Sequence, residues 1–151
     1  MFAEYDRTHF PLVKVNISGI PSNNDFDLFL EEWLRLYEEE RDFMFLFDIR
    51  DLGDVSLKYC VKMSMFIYRL RKRPYQYLQK SMILLNNHKI ESLLNFIFVL
   101  QPPVAPVYLY HTETSSEDLR ELAENISRES LTDNIIYIKP NKPFLPFMWR
   151  I

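Results

Sequence analysis

Glycine is nearly missing from this chain: of 151 residues, only Gly19 and Gly53 are glycine. A Gly-rich phosphate loop is therefore absent, which removes dinucleotide-binding and P-loop readings. Cysteine occurs once, at Cys60, so no internal disulfide forms and a reducing compartment fits. The three histidines, His9, His88 and His111, are scattered, so zinc-type spacing is missing and neither a metal nor a cofactor is expected. No run approaches the roughly 18 apolar residues of a membrane span. The start, Met1-Phe2-Ala3-Glu4-Tyr5-Asp6, lacks a basic segment followed by an apolar core, so no signal peptide is expected. A net charge of −3 gives no bulk attraction to nucleic acid or to an acidic membrane. These absences predict a soluble cytoplasmic protein that is not transmembrane and has no nucleic-acid partner.

What is abundant is apolar and aromatic side chain, 48% and 15% of residues, which excludes disorder for the chain as a whole. The length suits one domain spanning residues 1–151, with its core in about 10–130 and a Pro/aromatic tail at 139–151.

Alternation of apolar and polar residues from Val13 to Ile17 predicts a half-buried strand, placed at an edge or covered on one side. Asp25 is the expected N-cap of a helix running to about Glu40. Its apolar face carries Phe26, Phe29, Trp33 and Tyr37. Its other face carries Glu31, Glu32, Glu38 and Glu39, and reads as solvated. Phe43–Ile49 is nearly all apolar, as expected of a strand covered on both sides. A polar turn, 50–54, then leads into a helix over Ser56–Arg73, capped by Asp54 or Ser56 and stopped by Pro74. Ser81–Asn86 predicts a third strand, His88–Leu100 a helix, and Val107–Tyr110 a strand whose neighbouring Pro106 suits an edge. Ser115 or Ser116 caps a further helix, and Asn134–Ile138 is a candidate fifth strand. The alternation predicts an α/β fold: a small, mostly parallel, four- to five-stranded sheet with about four helices.

The second helix holds the sharpest functional signal. At ~100° per residue, Lys58, Lys62, Arg69 and Arg73 fall within roughly 60° of arc, with Lys72 just outside. The helix dipole favours cations at the carboxyl end but disfavours Lys58 and Lys62 near the amino end. An acidic protein surface, an anionic lipid head group, or a second copy offering its acidic first helix would each answer that stripe. Ser56, at the helix start, is a candidate phosphorylation site beside Lys58 and Lys62, against its plainer use as a cap. The tail offers Phe144, Phe147 and Trp149 for docking. At the carboxyl ends of the strands, Asp48, His88 and His111 form a candidate acid/base set, although no nucleophile accompanies them. Cys60 lies in the apolar line of its helix and reads as core.

The run Phe45-Leu46-Phe47-Asp48-Ile49-Arg50-Asp51-Leu52-Gly53-Asp54-Val55-Ser56 resembles the STAS group, which includes SpoIIAA-like proteins and is similar in architecture to CRAL-TRIO lipid-binding modules. Met82-Ile83-Leu84-Leu85-Asn86-Asn87 and Val107–Arg128 fit the same pattern. The Asp-Ser-Ser-Gly motif of phosphorylated members is not present; Ser56 is the nearest positional equivalent, followed by Lys58-Tyr59 instead of small residues. The resemblance implies a largely non-enzymatic group that binds proteins, nucleotides or lipids. The expected function is thus a non-catalytic regulatory module that binds an acidic partner surface through the basic helix. The alternatives are a small-ligand or lipid carrier with an apolar pocket between helices and sheet, and an unrecognised α/β enzyme.

Overall fold

The structure is a computed structural model, and it describes residues 2–140. Six strands form one sheet: β1 (Ala3–Asp6), β2 (Leu12–Gly19), β3 (Phe43–Leu52), β4 (Leu78–Leu85), β5 (Val107–His111) and β6 (Ile135–Ile138). Their order in space is their order in the chain. The pairs β2–β3, β3–β4 and β4–β5 are parallel, whereas β1–β2 and β5–β6 are antiparallel. The α/β class stands, but the sheet is six-stranded and mixed, not four- to five-stranded and mostly parallel.

The additional strand, β1, is four residues long with alternate positions half-buried. Four residues carry too little pattern to be read as a strand without their partner. Its presence moves β2 off the edge, which leaves one-sided covering as the reading of β2, and β6 moves β5 off the edge, correcting that edge placement. Pro106 lies just before β5 and its carbonyl accepts the Ser81 N–H at 2.9 Å.

Among the described residues, four α-helices accompany the sheet: α1 (Asn23–Glu38), α2 (Leu57–Arg71), α3 (His88–Leu100) and α4 (Arg120–Asn125). Ser22, not Asp25, is the N-cap of α1: its hydroxyl accepts Asp25 N–H, and the Asp25 carboxylate accepts Ser22 N–H. The expected cap is thus the third residue of a capping box. The helix stops before Glu40, which sits in the left-handed region at φ 55°. Asn87 caps α3, accepting Ile90 N–H at 2.9 Å.

Each parallel crossover advances the sheet in one direction, and right-handed crossovers then put their helices on one face. Accordingly α1, α2 and α3 cover Val13, Val15, Phe45, Phe47, Ile83 and Leu109. The shorter α4 and the turn before it cover Leu46, Met82, Leu84 and Tyr108 on the other face. This explains why Phe43–Ile49 reads as continuously apolar. Phe45 and Phe47 meet Trp33 at ring distances of 4.9 and 5.7 Å, while Leu46 points into the opposite layer beside Ala123 and Leu119. Each such fully buried side chain contributes about 1.5–3 kcal/mol of transfer free energy. The two glycines of the chain meet here: Gly53 N–H donates to Gly19 O at 2.9 Å, and a Cβ on Gly53 would come within 3.3 Å of the Gly19 backbone.

Candidate functional sites

The basic stripe lies on the outer side of α2. Lys58, Arg69, Lys72 and Arg73 are exposed and Lys62 is half-buried. The Lys62 ammonium lies 3.7 Å from Asp27 of α1, and also lies over the Tyr59 ring with Lys58. Lys72 lies over Tyr68 at 4.5 Å. Arg71, outside the stripe, turns away and binds Gln101 and the carbonyls of Pro102 and Pro103. Beside the stripe runs an apolar line: Leu57, Val61 and Met65 are 61%, 44% and 51% exposed. Four-residue spacing puts them on one helical ridge. Sequence pattern did not single out this ridge, because apolar residues on a helix read as core until the packing is known.

Ser56 is the N-cap residue of α2 and is exposed, but its side chain makes no capping hydrogen bond. Asp54 is bound instead to Lys89 of α3 at 2.7 Å. Phe144, Phe147 and Trp149 lie outside the described residues.

Between the sheet and α1–α3 lies a cavity of about 160 Å³. Phe29, Trp33, Phe47, Cys60, Ile83 and Ala105 are among the side chains that line it, and the lining is apolar almost throughout. The Trp33 indole N–H is buried without a hydrogen-bond partner. Burial pushes the Cys60 thiol pKa up, which disfavours the thiolate and agrees with a packing role. On the opposite face, Lys14 of β2 lines a separate polar cleft with Asp6, His9 and Arg120. That cleft accounts for the alternation of β2, which is dry on one side only.

At the carboxyl end of the sheet, β3 continues past Asp48 to Leu52, so Asp48 is a strand residue, not the start of a turn. Its carboxylate accepts Arg50 N–H at 3.2 Å, Nε at 2.9 Å and Nη2 at 2.8 Å. Burial acts to raise the Asp48 pKa, but the Arg50 hydrogen bonds outweigh it and hold it below the usual carboxylate value. Arg50 Nη1 goes on to the carbonyls of Thr112 and Thr114 at 3.1 and 2.6 Å. The pair therefore clamps β3 to the loop after β5, an architectural use.

His88 and His111 do come together, with ring centroids 5.3 Å apart. The carboxylate between them is that of Glu91, not Asp48. His111 Nε2 is bonded to Glu91 Oε1, and His88 Nδ1 lies 3.9 Å from the same oxygen. The expected trio is thereby corrected. Glu91 was legible in principle, since His88-x-x-Glu91 is one turn of helix, but its meeting with His111 depends on the β4–β5 register.

No family model, curated protein or solved structure matches this chain. Among the described residues, no helix is long and apolar enough to cross a membrane.

Proposed function

We propose that this protein is a non-catalytic binding module whose primary ligand is a small apolar molecule held between the sheet and α1–α3. The observation that carries this reading is the apolar cavity of about 160 Å³. Protein interiors hold few voids larger than a water molecule. This one is half-open to solvent, so a ligand can enter it without the core unfolding. An apolar recess of this order accommodates a ring-sized hydrocarbon. The volume lies below the roughly 300–1,000 Å³ typical of drug-sized ligands, so the reading favours a single ring or short acyl chain over a whole phospholipid. The unpartnered Trp33 indole N–H beside the cavity suits a ligand with one acceptor atom. Organic extraction of protein purified from its own host, followed by mass spectrometry, should release one apolar species in near-equimolar amount. Repeatedly empty extracts, together with no thermal shift from benzene or indole, would overturn the reading.

A second reading rests on a different observation, the exposed ridge Leu57, Val61 and Met65 beside Lys58, Lys62, Arg69, Lys72 and Arg73. An acidic amphipathic helix from a partner protein would cover the ridge and answer the charges. The continuous strand–helix alternation through β2–β5 supports a STAS-like module of this kind, with Ser56 as its candidate phosphorylation site. Charge reversal at Lys58, Lys62, Arg69 and Arg73 should abolish recovery of one defined acidic partner from the native host. Unchanged recovery would defeat this reading and leave the cavity untouched.

A further inference from the structure

We infer that His88, Glu91 and His111 form a binding site for one divalent transition-metal ion. The three residues come from two neighbouring segments at the carboxyl end of the parallel sheet. His88 and Glu91 open α3, which follows β4, and His111 ends β5. The parallel register sets Leu85 of β4 opposite His111, so the last residue of one strand meets the first turn of the helix that follows the other. The backbone is tied at this point as well: Thr112 N–H donates to Leu85 O, and His111 N–H to Asn134 O, both at 3.2 Å.

One ligand atom from each side chain lies within 4.8 Å of the others. A His111–Glu91 pair alone accounts for two of the three residues but not for His88. Its Nδ1 is 3.9 Å from the same Glu91 oxygen, too long for a hydrogen bond. Ligands held about 2.0–2.1 Å from a tetrahedral ion stand roughly 3.4 Å from one another. The His88 spacing is close to that, and its ring is 93% exposed and can rotate to close the difference. Glu91 and His111 are only 20% and 26% exposed, so two of the ligands are held in place by their surroundings.

Two imidazoles and one carboxylate select by chemistry. Magnesium and calcium prefer all-oxygen shells, whereas zinc, cobalt, nickel and copper accept imidazole readily. The positive end of α3 opposes any cation, but that effect is confined to the first turn, and the Glu91 carboxylate sits in the same turn. Lys89, next to His88 in α3, is bound to Asp54 at 2.7 Å. With three protein ligands and His88 facing solvent, the ion keeps at least one exchangeable position for water, as open rather than structural sites do. This inference is independent of the cavity and of the α2 surface.

The test is titration of the full metal-free chain with zinc by calorimetry, and with cobalt by visible absorption. One ion per chain is expected. His88→Ala, Glu91→Gln and His111→Ala should each weaken binding by at least about tenfold, since even outer partners of metal ligands are worth 10–100-fold. His9→Ala should leave binding unchanged, because His9 sits with Arg120 on another part of the fold. If His111→Ala unfolds by circular dichroism, His88→Ala decides, as that side chain is almost fully solvated. The inference is overturned by the absence of saturable zinc binding up to about 1 mM, the weak end of specific affinity. It is equally overturned by binding that survives His88→Ala and Glu91→Gln. A thiolate-to-cobalt absorption band would place the ion at Cys60 and also sink it.

Discussion

The sharpest prediction concerns Ala105, a buried residue that lines the cavity and precedes Pro106. A residue before proline is held near extended backbone, which suits a β-branched side chain. Ala105→Val adds two buried carbon groups, each worth about 0.8 kcal/mol when it fills empty apolar space. A gain of about 1–1.5 kcal/mol follows, which for a chain of this size is roughly 2–6 °C in Tm. Ala105→Leu should extend the gain, limited by how well the longer side chain fits. In a fully packed interior the same changes would overpack and cost about 1–3 kcal/mol, so the sign of the effect separates the two situations. The assay is thermal and guanidinium unfolding of each variant, with and without benzene at saturating concentration. A ligand at 100 times its Kd adds about 2.7 kcal/mol to the native protein, and Ala105→Val should remove part of that increment. Replacing Trp149 by Phe leaves Trp33 as the sole indole, so its emission reports occupancy of the cavity directly. Destabilisation by both variants, with the benzene increment unchanged, would refute the reasoning from the void.

Three further outcomes follow from other parts of the molecule. Asp48→Asn should cost about 1–2 kcal/mol near pH 7, because it weakens the charge-assisted bonds from Arg50. The folded-state pKa of Asp48 is depressed, so its stabilisation is present above the unfolded value near 4 and fades as pH falls through the folded value. The gap between wild type and Asp48→Asn should therefore narrow below about pH 4, and a gap independent of pH would contradict the assignment. Arg50→Ala should be the more damaging change, about 2–3 kcal/mol, since it leaves a carboxylate only 18% exposed without its partner and releases the Thr112–Thr114 carbonyls; accelerated amide exchange around Thr112 should accompany the loss. Glu40→Gly should stabilise by about 0.5–1 kcal/mol: glycine avoids the 1–2 kcal/mol cost of the left-handed backbone and gives back part of it as unfolded-state freedom. A lower midpoint in denaturant would contradict that account.

Much of the fold was legible along the chain because it is written in local periodicity. Phe43–Ile49 had to be covered on both faces, since all its residues but Asp48 are apolar, and apolar packing is seen on either side, at Trp33 and at Ala123. The extent of α3 followed from Asn87 before it and Pro102 after it. The short outer strands were harder. β6 was marked by its apolar run at Ile135–Ile138, but β1 has four residues, too few to establish a period, and it is a strand because β2 offers an unpaired edge. Sequence alone does not separate Ser22 from Asp25 as the cap, because both residue types cap helices and only the backbone angles decide which is outside the first turn.

Composition and periodicity by themselves determined the α/β class, the positions of the long elements, the two-faced burial of β3 and the basic side of α2. These depend on which side chains tolerate water and on the 3.6- and 2-residue repeats, properties that each segment carries within itself. The tertiary structure alone decided the rest. Strand order is a matter of which crossover direction the chain takes, and it set six strands with antiparallel edges. The cavity is a mismatch of volumes between layers, which no single segment records. Glu91 displaced Asp48 as the carboxylate of the two histidines because register, not sequence distance, brings the end of β5 to the first turn of α3.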